Sequence, residues 1–215
     1  MKIATRWMMT LTLIAVASGA HAMTPMELVR AAMQVQGQVR DYTATVTVSI
    51  EAPNLQIPAR TMKVYYKQPD KLHVQSQGLV IIPRDALLMG NLASHLEDNT
   101  QASLVGTGTL NGRPVTCVKL TPLDAGPGTG RMLLWIDTDR FLLVKTEVWD
   151  VAAKVMTITF THTLAQERYW MPRSIVCDLS ARMLDSAGET ARATVTFANY
   201  RINTGLSDDI FEDEN

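Results

Sequence analysis

A mainly β domain of the α+β class, laid out as an antiparallel meander, is the fold this sequence predicts, and three observations predict it. A single strong helix signature opens the chain after its first 22 residues. At Tyr42 the apolar period drops from 3.6 to 2. From Arg113 onward, strand-like runs follow one another with only turn residues between them. Strands joined so tightly pair antiparallel, because a parallel neighbour needs a crossover of a dozen or more residues.

Residues 1–22 read as a secretory signal peptide. Lys2 and Arg6 give a basic start, "WMMTLTLIAVA" is the apolar stretch, and "SGAHA" ends in the small-residue pattern of Ala20, His21 and Ala22. The apolar run is too short for a comfortable membrane span. No cysteine follows the cleavage site, so release as a soluble periplasmic protein is expected, with residues 23–215 as one domain. The chain carries 20 Lys and Arg against 21 Asp and Glu; without Lys2 and Arg6 the balance is 18 to 21, a net charge of about −3. That is no nucleic-acid footprint. The acidic end "SDDIFEDEN" reads as a solvated tail or a docking segment.

"MTPMELVRAAMQVQGQVRDY" is the helix. Thr24 is a good N-cap, Pro25 suits the first helical position, and Glu27 completes a capping box. Leu28, Ala31, Ala32 and Val35 give its apolar stripe, and Gly37 marks its end. "TATVTVSIE" then alternates Ala44, Val46, Val48 and Ile50 against Thr43, Thr45, Thr47 and Ser49, the signature of a half-buried strand. A Pro-Asp turn joins strands at Lys63–Lys67 and Leu72–Ser76. "GLVIIPRDALLMGNLASHLEDN" is an apolar segment with a short helix, Leu88, Leu92 and Leu96 recurring every four residues. After it come the strands "RPVTCVKLTP", "RMLLWID", "FLLVKTEVWD", "KVMTITFTHT", "YWMPRSIVCDLS" and "TARATVTFANYRI".

A turn at Thr138 and Asp139 would set Ile136 against Phe141 and Trp135 against Leu142. One face of that hairpin then carries Leu133, Trp135, Leu142 and Val144, the other Met132, Leu134, Ile136, Phe141 and Leu143. Both faces are apolar, so both need cover. A two-layer domain lidded on both sides and a sheet around a cavity satisfy that need equally well.

Catalytic signatures are missing. His73, His95 and His162 are scattered, without metal spacing, and read as surface or rim residues. "GPGTG" lacks the Lys-Ser/Thr of a phosphate loop and leads into a strand. No Gly-x-Ser-x-Gly elbow is present. Asp137, Asp139 and Asp150 fall at turns, where carboxylates cap backbone groups. Cys117 and Cys177 lie within separate strands and read as buried thiols, with a disulfide as the alternative. No enzymatic activity, metal or cofactor is expected.

The order of elements, with "KQPDK", "NGRPVTCVKLTP", "LLWIDTDRFLLVKTEVWD", "YWMPRSI" and a terminal "LSDDIF", resembles the outer-membrane lipoprotein-sorting proteins of the periplasmic lipoprotein-carrier (LolA/LolB-like) superfamily. The resemblance implies a curved antiparallel sheet forming an incomplete barrel around an apolar cavity, with the N-terminal helix and short lid helices over it. It also implies a monomeric Gram-negative carrier that shelters a lipid or lipoprotein cargo between an inner-membrane donor complex and an outer-membrane receptor. The superfamily's arginine near the first strand is matched only loosely, by Arg40. A periplasmic sensor module that binds a protein partner through the same half-barrel is the alternative. Strand phase then makes Val46, Val48, Val64, Tyr66, Val74, Leu133, Trp135, Leu142 and Phe160, with Leu88 and Leu92 of the lid, the expected cavity lining. A slip of one residue at the 132–144 hairpin would exchange its set for the opposite one. The chain's 12 methionines suit a wall that adapts to variable cargo; Met62, Met89, Met132, Met156 and Met171 fall in the expected wall or lid.

Overall fold

The computed structural model describes residues 23–35, 37–52, 55–76, 100–123, 130–181 and 190–212. Helix α1 is Pro25–Gln34. Its capping box is closed: the Thr24 hydroxyl accepts from the Glu27 amide at 3.2 Å, and a Glu27 carboxylate oxygen accepts from the Thr24 amide at 2.7 Å. Two of the orphan donors at the helix start are thereby satisfied. The buried stripe is centred on Leu28 and Val29, with Met26, Ala32 and Met33 beside them. Leu28 and Ala32 of the expected stripe belong to it, Ala31 and Val35 are half-buried, and Met26, Val29 and Met33 join it.

Ten strands follow: β1 Asp41–Ala52, β2 Leu55–Lys67, β3 Lys71–Gln75, β4 Thr100–Leu110, β5 Arg113–Pro122, β6 Arg131–Asp137, β7 Leu142–Trp149, β8 Lys154–Ala165, β9 Tyr169–Leu179 and β10 Ala191–Ile202. They form one antiparallel sheet in the order β3-β2-β1-β10-β9-β8-β7-β6-β5-β4. Only the β1–β10 pairing departs from a plain meander; it brings the last strand beside the first. The sheet is curved into an incomplete barrel, with β3 and β4 its two outermost strands among the described residues. A 3-10 turn at Asp208–Phe211 docks on β3, where Asp208 accepts from the Lys67 and Lys71 ammonium groups at 2.7 and 3.0 Å. Part of the acidic end is therefore a clasp rather than a solvated tail.

Cross-strand register identifies the inner face. One row runs Val118, Leu134, Thr146, Ile158, Cys177, Ala193 and Ile50 across β5, β6, β7, β8, β9, β10 and β1. The next runs Leu120, Met132, Val148, Met156, Leu179 and Ala191. Opposed residues share a face, so this side is apolar almost from edge to edge. Helix α1 packs on it, against β4, β6 and β7.

Two expectations change. The 137–142 connection is longer than two residues: Ile136 pairs with Leu143 and Asp137 with Leu142, leaving residues 138–141 as the turn with Phe141 at φ 53°. A bulge follows at Val144. Strand β4 was not anticipated, because "TQASLVGTGTL" is rich in Gly, Ser and Thr and nearly lacks large apolar residues at alternate positions. The segment containing Leu88, Met89, Leu92 and His95, with its expected lid helix, lies outside the described residues.

Candidate ligand-binding face

Two apolar clusters occupy the inner face. The first gathers Val39, Tyr42, Ala44, Val46, Met62, Val64, Leu72, Met171, Ile175, Val195, Phe197 and Ile202 from the β3-to-β9 side. Val48, Tyr66, Val74, Ile158 and Phe160 pack against it while remaining partly accessible. The second joins Leu28 and Val29 of α1 to Val118, Leu120, Leu134, Ile136 and Leu143. Phe160 touches both clusters and so marks their junction. Tyr42, Tyr66, Tyr200 and Phe197 interlock at one end, with ring centroids 5.2–6.3 Å apart.

Six of the residues expected to line a cavity thus come together on this face: Val46, Val48, Val64, Tyr66, Val74 and Phe160. Met62, Met132, Met156 and Met171 stand on it too. Leu133, Trp135 and Leu142 do not. Strand alternation turns them outward, because the neighbours Leu134, Ile136 and Leu143 face α1. On that outer face the Lys145 ammonium lies 4.4 Å from the centre of the Trp135 ring, and the Arg131 guanidinium 4.5 Å from that of Trp149. Glu147, largely buried between them, accepts from Lys145 at 2.8 Å, Lys154 at 3.3 Å and the Trp149 indole at 3.2 Å. Burial pushes its carboxyl up, but the two lysines outweigh that and hold it below the usual range. Cations over indole rings are the cover this second apolar face required. Ile158, Ile175, Val195 and Phe197 join the inner face without having been singled out; alternation with threonine in "TITF" and "ATVTF" is the signal that marks most of them.

Several polar groups along the sheet and its turns have defined partners. The Asp150 carboxylate caps the amides of Ala152 and Ala153 at 2.8 Å each, as its turn position predicts. Burial drives the His162 imidazole down to about 4, against a smaller upward pull from Asp137, so it is neutral at pH 7. Cys117 and Cys177 are free thiols four strands apart in the sheet order, and burial raises both. The Thr146 hydroxyl, like His73 Nδ1 and the Ser180 hydroxyl, is an exception. It is buried between Leu134 and Ile158, and no hydrogen-bond partner reaches it. Val has the same shape without the orphan oxygen. Thr146→Val is therefore expected to stabilise the protein by about 1 kcal/mol, raising Tm by roughly 2–4 °C in thermal circular dichroism. A fall in Tm would mean that the hydroxyl is satisfied.

Among the described residues no group of three His, Cys, Asp or Glu side chains could hold a metal ion, and no helix is long and apolar enough to cross a membrane.

Solved structures carry the same fold, an open, curved antiparallel sheet with a helix on its apolar inner face. A DUF1329 family protein from Desulfovibrio piger is similar with a TM-score of 0.64 at 16% identity, over 89% of this chain and 98% of that one. A LolA superfamily protein from Nitrosomonas europaea follows with a TM-score of 0.58 at 13% identity, over 88% and 98%. An outer membrane lipoprotein-sorting protein domain from Vibrio parahaemolyticus gives 0.57 at 14% identity, over 86% and 95%. No curated protein matches the chain. The chain itself belongs to a family described as uncharacterized protein-like, whose model matches residues 86–215.

Proposed function

We propose that this protein is a periplasmic carrier or binding protein that shelters a lipid, or the acyl chains of a lipoprotein, against its inner face on the way to the outer membrane. One observation carries the reading. The inner face over β1–β3 and β8–β10 carries one large apolar cluster, while among the described residues the main contacts of α1 fall at the other end, on β4, β6 and β7. Val48, Tyr66, Val74, Ile158 and Phe160 are the partly accessible rim of that surface. An acyl chain laid there gains about 0.8 kcal/mol per methylene, roughly 10 kcal/mol for a long chain. Such a gain holds cargo during an aqueous crossing, and a donor complex and a receptor are what would offset it at either end.

Protein purified from its own envelope, examined by native mass spectrometry and lipid extraction, tests this. Near-stoichiometric lipid or lipoprotein is expected, and the stripped protein should take up a fluorescent long-chain fatty acid. A preparation that retains only a protein partner and refuses the probe would replace the carrier with a sensor module.

A further inference from the structure

Thr146 is a polar residue that the fold itself does not use. It is 3% exposed, and its hydroxyl has no hydrogen-bond partner. Its neighbours on the inner face are apolar: Leu134 and Ile158 across the sheet, Val148 two residues along β7, and Leu143 beyond the bulge at Val144. The next side chain in that row able to hydrogen-bond, Cys177, stands two strands away, roughly 10 Å. A buried water needs about three polar partners, and these neighbours leave it the one hydroxyl. An unsatisfied buried group of this kind calls for a partner from outside the fold.

Its place in the sheet says what that partner is. Along the row, Leu134 is fully buried in the cluster that α1 covers, whereas Ile158 and Cys177 are half-buried, and Ile158 packs against the other cluster. Thr146 thus sits at the margin of the helix-covered region, where the two apolar clusters meet. We propose that its hydroxyl is the polar anchor of the ligand, donating to the carbonyl oxygen of an uncharged acyl ester whose chain lies over the larger cluster. The inference rests on the ligand reading above and names the class of ligand. A carbonyl supplies the missing acceptor without bringing a charge. An ionised head does not fit, because the cations of β6, β7 and β8 are turned to the outer face. Arg131 lies over Trp149, Lys145 over Trp135, and Lys154 beside Glu147. On the inner face His162 is neutral at pH 7. A carboxylate at Thr146 would therefore be buried without a counter-ion among the described residues, which is costly. A free fatty acid shares the apolar surface through its chain and leaves its carboxylate at the accessible rim.

Fluorescence titration with three pyrene-labelled probes of equal chain length, a methyl ester, an alkane and a free fatty acid, tests this. Thr146→Val should bind the ester about 3- to 10-fold more weakly than wild type, the range of one hydrogen bond. It should bind the alkane at least as well and the fatty acid within about twofold, since neither uses the hydroxyl. Thr146→Ser, which keeps the donor, should retain the ester. Native mass spectrometry of wild type and Thr146→Val taken from the envelope separates the two sources of such an ester, a free lipid and an acylated polypeptide; the retained one should fall in the variant. If Thr146→Val binds ester and alkane in the same ratio as wild type, the anchor is overturned and the carrier reading stands. If wild type refuses all three probes, the carrier reading fails and takes the anchor with it.

Discussion

Phe160→Glu is expected to weaken binding of a fluorescent long-chain fatty acid on the order of 100-fold, while Trp135→Glu leaves it within about twofold. The same charge is introduced on opposite faces of one sheet. Phe160 joins the two inner clusters, so a chain lying across this face passes it. A carboxylate there would stand among Met171, Ile175 and Val195 of the cluster it packs against. The His162 ring, 6.5 Å from that of Phe160, is neutral at pH 7 and offers no counter-ion. At position 135 the opposite holds. The side chain faces outward, and the Lys145 ammonium already sits over the ring, so a glutamate finds a cation in place. Fluorescence titration of both variants reads the result, with circular dichroism to confirm the β spectrum and Phe160→Gln as a neutral control on packing. Loss of binding in Trp135→Glu with binding kept in Phe160→Glu would put the ligand on the outer face.

The contrast also shows how far the sequence could be read. Strands β1 and β10 were legible because their two faces differ in chemistry: valine or phenylalanine on one, threonine on the other. Half-burial imposes that difference, and it fixes which residues face inward. Hence Val46, Val48 and Val64 fell where strand phase put them. In the 131–149 hairpin both faces are apolar, since α1 covers one and the Lys145 and Arg131 side chains cover the other. Alternation there carries no label for inside. The label comes from α1 in three dimensions, and from a turn and bulge whose extra residues no period reveals. Strand β4 was hidden for another reason. Its glycines and small polar residues have weak strand preference, and pairing with the strongly apolar β5 holds it in place.

The largest loss of stability is expected at the 137–141 turn, which the sequence marked only as a cap. Asp137 is 2% exposed. Its carboxylate accepts from Arg113 Nε at 2.5 Å and from the amides of Asp139 and Arg140 at 3.0 and 3.2 Å; the same guanidinium reaches Asp139 at 3.0 Å. One side chain thus ties the β4–β5 turn to the β6–β7 turn and satisfies two backbone donors. Asp137→Ala leaves those donors and the guanidinium without this acceptor. Because Arg113 is one-third exposed and keeps Asp139, the cost is set below that of a fully buried pair, at about 2–4 kcal/mol. The pH dependence follows from the direction of the shift. Burial pushes the Asp137 carboxyl up, but Arg113 and the two amides together bring it below its ordinary value. A carboxyl depressed in the folded state contributes stability that is fully present above its unfolded value, near 3.9, and is lost as pH falls through the folded one. Urea unfolding of wild type and Asp137→Ala should therefore show a constant gap from pH 7 down to about 5, which narrows below pH 4 as the wild-type carboxylate takes up its proton. A gap that persists unchanged to pH 2 would mean that the neutral acid holds the turn as well as the ion does, and that the Arg113 pairing contributes nothing.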